Sequence, residues 1–181
     1  MPNNENQLIA QLQSQDHKNH AFRELISLYK ERLYWHIRHI VKSHDDADDV
    51  LQNTFIKVFR SIDNFKGESK LYSWMYRIAT NEALTHLKKN AKRLNLNSEE
   101  ANNLAIKNLE SDVYFEGEKI QLKLQKAIAT LPEKQQLVFN MKYFQDLKYS
   151  EISEILETSE GALKASYHIA VKKIETYLTQ D

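Results

Sequence analysis

Residues 45 to 62 read DDADDVLQNTFIKVFRSI, and their spacing decides the fold class. Ala47, Val50, Leu51, Thr54, Phe55, Val58, Phe59 and Ile62 recur at the i, i+3, i+4, i+7 positions of a helix, so one face is core. Asp45, Asp46, Asp48 and Asp49 crowd its start, where carboxylates complement exposed amides and the positive end of the helix dipole. A second stripe, Asp49, Gln52, Asn53, Ile56 and Arg60, has the same period but is mostly polar, and it faces elsewhere.

The same period extends in both directions. Upstream, residues 5 to 14 form a short helix and His17 to Lys42 a long one, with Leu25, Leu33, Ile37 and Val41 at helical spacing. Downstream, the loop Asp63 to Ser69 leads into a helix over 69 to 92, with Leu71, Trp74, Met75, Ile78 and Leu87 inward. Ser73, Tyr76, Arg77, Thr80, Asn81 and Lys88 share another face of that helix. Three Gly and two Pro in 181 residues are too few for a sheet with frequent turns, so the chain is all-α.

From Leu94 to Glu118 the apolar period weakens and Asn and acidic residues dominate, which marks a flexible linker. The domains are therefore 1–93 and 119–181, two small helical units. In the second, helices cover 120–130 and 133–144, the latter opening on Pro132. Tyr149 to Leu156, a turn at Glu157 to Ser159, and a final helix from Glu160 form a helix-turn-helix, with Ser159 as N-cap. Ser159, Glu160, Gly161, Ala162, Lys164, Ala165 and His168 lie at or near its outward N-terminal face, where such helices meet the major groove. Leu163, Tyr167, Ala170 and Ile174 face inward.

Lys and Arg total 25 against 25 Asp and Glu, and the neutral sum hides a basic first unit beside an acidic linker. Nucleic-acid binders draw much of their affinity from Lys and Arg on phosphates, yet the last helix carries only Lys164, Lys172 and Lys173. In the first unit, Tyr72, Trp74, Tyr76 and Arg77 combine aromatic faces and cationic groups suited to single-stranded DNA, although the spacing of Trp74 assigns it to the core. His36 and His39 lie one helical turn apart without a third ligand, so no metal site is expected. The absence of Cys removes disulfides and thiolate sites, and no phosphate loop, nucleophile elbow or HExxH motif suggests an enzyme or a cofactor. No apolar run approaches a membrane span and the start lacks signal-peptide blocks, which fits a soluble, cytoplasmic protein. These features leave open a transcription initiation subunit, a dimeric helix-turn-helix regulator and a helical adaptor.

Residues 45 to 89, DDADDVLQNTFIKVFRSIDNFKGESKLYSWMYRIATNEALTHLKK, resemble the second conserved region of bacterial extracytoplasmic-function (ECF) sigma factors. Residues 131 to 178, LPEKQQLVFNMKYFQDLKYSEISEILETSEGALKASYHIAVKKIETYL, resemble their fourth. The resemblance implies a non-catalytic subunit that docks on core RNA polymerase, selects promoters and helps open them. By position, Asp49, Gln52, Asn53 and Ile56 match the helix that binds the clamp of the largest polymerase subunit; the flap of the second largest is a further implied contact. Asn64, Phe65 and Lys66, with Tyr76, Arg77, Thr80 and Asn81, match the elements that capture a flipped base and the minus-10 strand. Ser159, Glu160, Gly161, Ala162, Lys164, Ala165 and His168 match the reader of the minus-35 element. An anti-sigma factor is a further implied partner. The chain departs from the family pattern at Asn53, Ala162 and Ile169, and at Glu157, where a Gly is common in the turn.

Overall fold

The computed structural model describes residues 2–111 and 119–179. Its regular elements are helices α1 (Pro2–Leu12), α2 (Lys18–Val41), α3 (His44–Ser61), α4 (Leu71–Arg93), α5 (Ser98–Ser111), α6 (Lys119–Ala129), α7 (Glu133–Tyr143), α8 (Tyr149–Leu156) and α9 (Glu160–Thr179), with one 3₁₀ turn at Ile62–Asn64. No strand occurs among the described residues. The expected boundaries lie within a few residues of these, because each helix carries its own apolar stripe.

Helices α2, α3 and α4 pack on one another, with α1 against α2. The stripe of α3 enters this core: Ala47, Val50, Leu51, Thr54, Phe55 and Val58 are buried. Each fully buried Leu, Ile or Val contributes roughly 1.5–3 kcal/mol. Ser43 caps α3, its Oγ accepting the Asp46 amide at 3.3 Å. Helix α4 takes its cap from a distant residue, since Glu5 Oε1 accepts the Leu71 amide at 2.8 Å. That contact holds α1 against the start of α4.

Helices α6 to α9 form the second group around Ala127, Ile128, Leu131, Phe139, Ala170 and Ile174. One difference from the sequence expectation stands out. Half of the expected linker is helix α5, opened by a reciprocal cap in which the Asn97 amide donates to Glu100 Oε2 at 2.8 Å and the Glu100 amide to Asn97 Oδ1 at 2.9 Å. Helix α5 packs on α6 through Asn102 Nδ2, which donates to the Ala129 carbonyl at 3.1 Å, and through the Lys126–Glu110 ion pair at 2.7 Å. Residues 112–118, the rest of that linker, lie outside the described residues.

The two groups touch. Leu137, Val138, Met141, Ile152, Ile155 and Leu163 join the core of the first group, and α8 lies along α4. His39 stacks on Phe144 with ring centroids 4.5 Å apart, and Asn140 Nδ2 donates to the His39 carbonyl at 3.3 Å.

Candidate nucleic-acid and polymerase interface

The polar stripe of α3 lies wholly at the surface: Asp49, Gln52, Asn53, Ile56 and Arg60 are all exposed, opposite the buried stripe. Ile56 is 47% exposed although it is a large aliphatic residue. Carboxylate and amide groups around one exposed aliphatic side chain offer hydrogen bonds about an apolar contact, the usual make-up of a docking surface. The Lys57–Glu82 ion pair ties this helix to α4.

The loop after α3 is pinned from outside itself. Gln13 Nε2 donates to the carbonyls of Ile62 at 3.0 Å and Phe65 at 2.8 Å, and Lys18 pairs with Asp63 at 2.6 Å. Gly67 has φ +72°, a left-handed turn position that favours glycine. Asn64 and Lys66 project into solvent at the loop tip. Phe65 instead turns inward against Trp74, with ring centroids 5.1 Å apart, so its ring serves the core in this arrangement.

On α4, Asn81 is exposed and Arg77 half-buried, whereas Tyr76 is 2% and Thr80 3% exposed. Thr80 Oγ1 donates to the Tyr76 carbonyl at 2.8 Å and lies 2.8 Å from His36 Nε2. The hydroxyl has one proton, so the imidazole proton sits on Nε2 and donates to Thr80. His36 Nδ1 then accepts from Gln145 Nε2 at 3.0 Å. Complete burial pushes the His36 imidazole down to about 3, with the Gln145 contact opposing that shift only in part, so the ring is neutral at pH 7. A line of hydrogen bonds thus runs from α4 through α2 to the second group.

Two ion pairs cross the same junction. Lys70 Nζ lies 3.2 Å from Glu151 Oε1, and an Arg77 guanidinium nitrogen lies 2.7 Å from Glu157 Oε1. The other Glu151 oxygen accepts the Lys148 amide at 2.9 Å, capping α8. Burial works to raise the Glu151 carboxyl, but the Tyr72 hydroxyl, the Lys148 amide and the Lys70 ammonium outweigh it and hold the group below the usual carboxylate range. Burial, reinforced by the Glu151 and Glu154 carboxylates, pushes the Tyr72 phenol up.

In the helix-turn-helix, Ser159 Oγ accepts the Ala162 amide at 3.4 Å, and Ser159, Glu160, Gly161, Ala162, Lys164, Ala165 and His168 are all exposed. Leu163, Ala170 and Ile174 are buried beneath them, while Tyr167 is half-buried and stacks on Phe139 at 5.8 Å. Lys164 lies 3.7 Å from Glu160 and 5.6 Å above the Tyr149 ring. Glu157, at the turn, has φ 50° and ψ 44°, the left-handed conformation that a Gly would adopt without strain.

The sequence shows the α3 and α9 surfaces but not Gln145 as a contact of α2, nor Glu151 and Glu157 as contacts of Lys70 and Arg77. The only signal for them was the acidic spacing of Glu151, Glu154 and Glu157 in a motif expected to meet DNA. Among the described residues no cluster of three or more potential metal-ligating His, Cys, Asp or Glu side chains forms, and no helix is long and apolar enough to cross a membrane.

The chain matches the family models "Sigma-70 region 2" over residues 25–93 and "Sigma-70, region 4" over residues 121–174. It is 32% identical over 176 residues to the ECF RNA polymerase sigma-E factor of Haemophilus influenzae, covering 93% of this chain and 92% of that one. It is 30% identical over 157 residues to the ECF RNA polymerase sigma factor SigW of Bacillus subtilis, covering 82% of this chain and 83% of the relative. Among solved structures, CnrH in complex with the cytosolic domain of CnrY shares the fold with a TM-score of 0.72, at 20% identity and 98% coverage of each chain. The sigma factor RpoE of Bartonella quintana, in complex with the anti-sigma factor NepR, shares it with a TM-score of 0.66, at 18% identity, over 88% of this chain and 98% of that one. The chain belongs to the ECF sigma factors of the sigma-70 family, non-enzymatic subunits that bind core RNA polymerase and direct promoter-specific transcription initiation.

Proposed function

We propose that three surfaces divide the work of initiation. The α3 stripe of Asp49, Gln52, Asn53 and Ile56 docks on the clamp of the largest polymerase subunit. The observation that carries this assignment is its full exposure, with Ile56 held out in solvent on a helix whose other aliphatic groups are buried. Asn64 and Lys66 at the loop tip, with Phe65 behind them and Tyr76, Arg77, Thr80 and Asn81 on α4, handle the minus-10 strand. The exposed N-terminus of α9, from Ser159 to His168, reads the minus-35 element.

The working units are residues 1–93 and 119–181. An apolar groove of about 450 Å³ between α6, α7 and α9, lined by Ile120, Leu124, Tyr143 and Leu178 among others, offers the second unit a seat for the polymerase flap. The sparse charge of α9 fits this division, because polymerase supplies the grip and tethering raises the effective concentration of a weak reader. The site of action is the cytoplasm, where core polymerase and promoters are found. The RpoE complex supports an anti-sigma factor as a further partner that covers these surfaces until release.

Run-off transcription with purified core polymerase on a genomic fragment library tests the assignment. Discrete transcripts that need both core enzyme and this chain are expected. Tight binding of the isolated protein to a palindromic duplex, without polymerase-dependent transcripts, would overturn it.

A further inference from the structure

The junction between α4 and α8 is built differently from the cores on either side. Lys70, the N-cap residue of α4, and Arg77, two turns further on, pair with Glu151 and Glu157 across the junction. Between those pairs Glu154 Oε2 is buried without a hydrogen-bond partner among protein groups. Asn140 Oδ1, where α7 meets α2, is in the same condition. Permanent cores satisfy such groups, and each orphan is a cost to the closed state. Glu154 is on α8, which lies along α4, and Asn140 is on α7, which meets α2.

Glu157 adds a local cost. A side chain at φ 50° is strained where Gly is not, yet this residue reaches back to Arg77. Tyr76 and Thr80, on the same face of α4, are closed off from solvent.

We propose that the acidic edge of α8, Glu151, Glu154 and Glu157, is a built-in stand-in for promoter phosphates. It pairs with the α4 cations in the absence of DNA and must leave before the minus-10 strand can bind. The proposal rests on the reading of Arg77 and its α4 neighbours as minus-10 contacts. It gives Glu157 a reason to occupy a glycine position, because the strain holds a carboxylate over Arg77. The unpaired polar atoms keep the closed state shallow, so docking on polymerase can open it.

The experiment uses the full chain without polymerase. The sequence contains no Cys, so spin labels placed on Glu24→Cys and Lys172→Cys, both exposed, report the separation of the two groups. The probe is a pool of random-sequence single-stranded DNA. In Glu151→Gln plus Glu157→Gln, the labels should move apart and the pool should bind about tenfold tighter. Two freed cations should steepen the dependence of log Kd on log salt by about 1.4, at roughly 0.7 per phosphate on single strands. Glu133→Gln plus Glu175→Gln, two exposed carboxylates of the second group that are not part of the α4–α8 ion pairs, makes the same change in net charge and should alter neither readout. Glu157→Gly should raise the melting temperature by relieving the turn and yet widen the label distance, which a variant that merely unfolds would not do.

Unchanged label distances in the double variant would overturn the proposal. So would opening without tighter DNA binding, or equal tightening by the control pair. Arg77→Ala in polymerase-dependent run-off separates this failure from that of the minus-10 reading: lost transcripts keep the reading while the latch falls, and wild-type transcripts remove the reading itself.

Discussion

Lys42 ends α2 with φ 59° and ψ 20°, its amide donating to the Arg38 carbonyl at 2.9 Å, and the residue is 4% exposed. Two costs coincide there. A left-handed residue with a Cβ costs about 1 kcal/mol relative to Gly. Burial, aided by the nearby Arg38 guanidinium, pushes the Lys42 ammonium down to about 8 from 10.5. At 1.36 kcal/mol per unit, that shift corresponds to about 3 kcal/mol of lost stability at pH 7. Lys42→Met keeps most of the packing and removes the charge, so it should stabilise the fold by about 2 kcal/mol once the altered shape is allowed for. Lys42→Gly relieves both costs but loses the buried methylenes, worth about 2 kcal/mol, and should also stabilise, by about 1–2 kcal/mol. The sign with pH follows from the depressed folded-state value of a base. Below pH 8 both states hold the proton and the penalty is complete; between 8 and 10.5 only the unfolded state holds it, so the wild type gains stability as pH rises. Urea unfolding should therefore show the gap between Lys42→Met and wild type narrowing by about 2 kcal/mol from pH 7 to pH 9.5. A gap independent of pH, or a destabilised Lys42→Met, would show that the buried ammonium carries no such penalty.

His36 titrates in the opposite part of the pH range. Its folded value near 3 lies below the ordinary 6.5, so from pH 6.5 downwards the unfolded state binds a proton that the folded state refuses. Stability should fall by roughly 1.4 kcal/mol per pH unit in that window, and a His36→Gln variant should lack that part of the slope in urea titrations. His39, also lowered by burial and by its Lys42 and Arg38 neighbours, adds to the same trend. Leu163→Ala, at a wholly buried position on α9, should cost about 2–5 kcal/mol by thermal or urea unfolding, because the helix-turn-helix cannot close the space. Lys164→Ala should change which promoters give transcripts in run-off assays while leaving co-purification with core polymerase intact.

The elements with strong local signals were legible in the sequence. The buried stripe of α3 and the turn between α8 and α9 follow from apolar spacing alone, since each helix buries one face whatever its neighbour. The apolar period of helix α5 is too weak to set it apart from a linker. Its signal lay in the cap between Asn97 and Glu100, which satisfies two amides before any packing begins. The burial of Tyr76 and Thr80 was not legible. Their spacing matches an exposed polar face, and only the return of α7 and α8 onto the first group supplies Gln145, which completes the His36 hydrogen bonds. The Glu5 cap on α4 is hidden for the same reason, because its partners are 66 residues apart in sequence. Glu157 lies between these cases: the turn suggests its left-handed backbone, but its contact with Arg77 is tertiary.

We propose above all that the exposed polar stripe of α3 delivers this chain to core polymerase. It is tested most directly by run-off transcription with purified core enzyme, comparing the wild type with Asp49→Lys plus Gln52→Ala. Both positions are exposed and neither contributes to the core, so the variant should fold with an unchanged unfolding curve. The account predicts that its transcripts fall at least tenfold at limiting protein and recover in part when the sigma factor is in excess. Equal transcription by the folded variant at limiting concentration would contradict it.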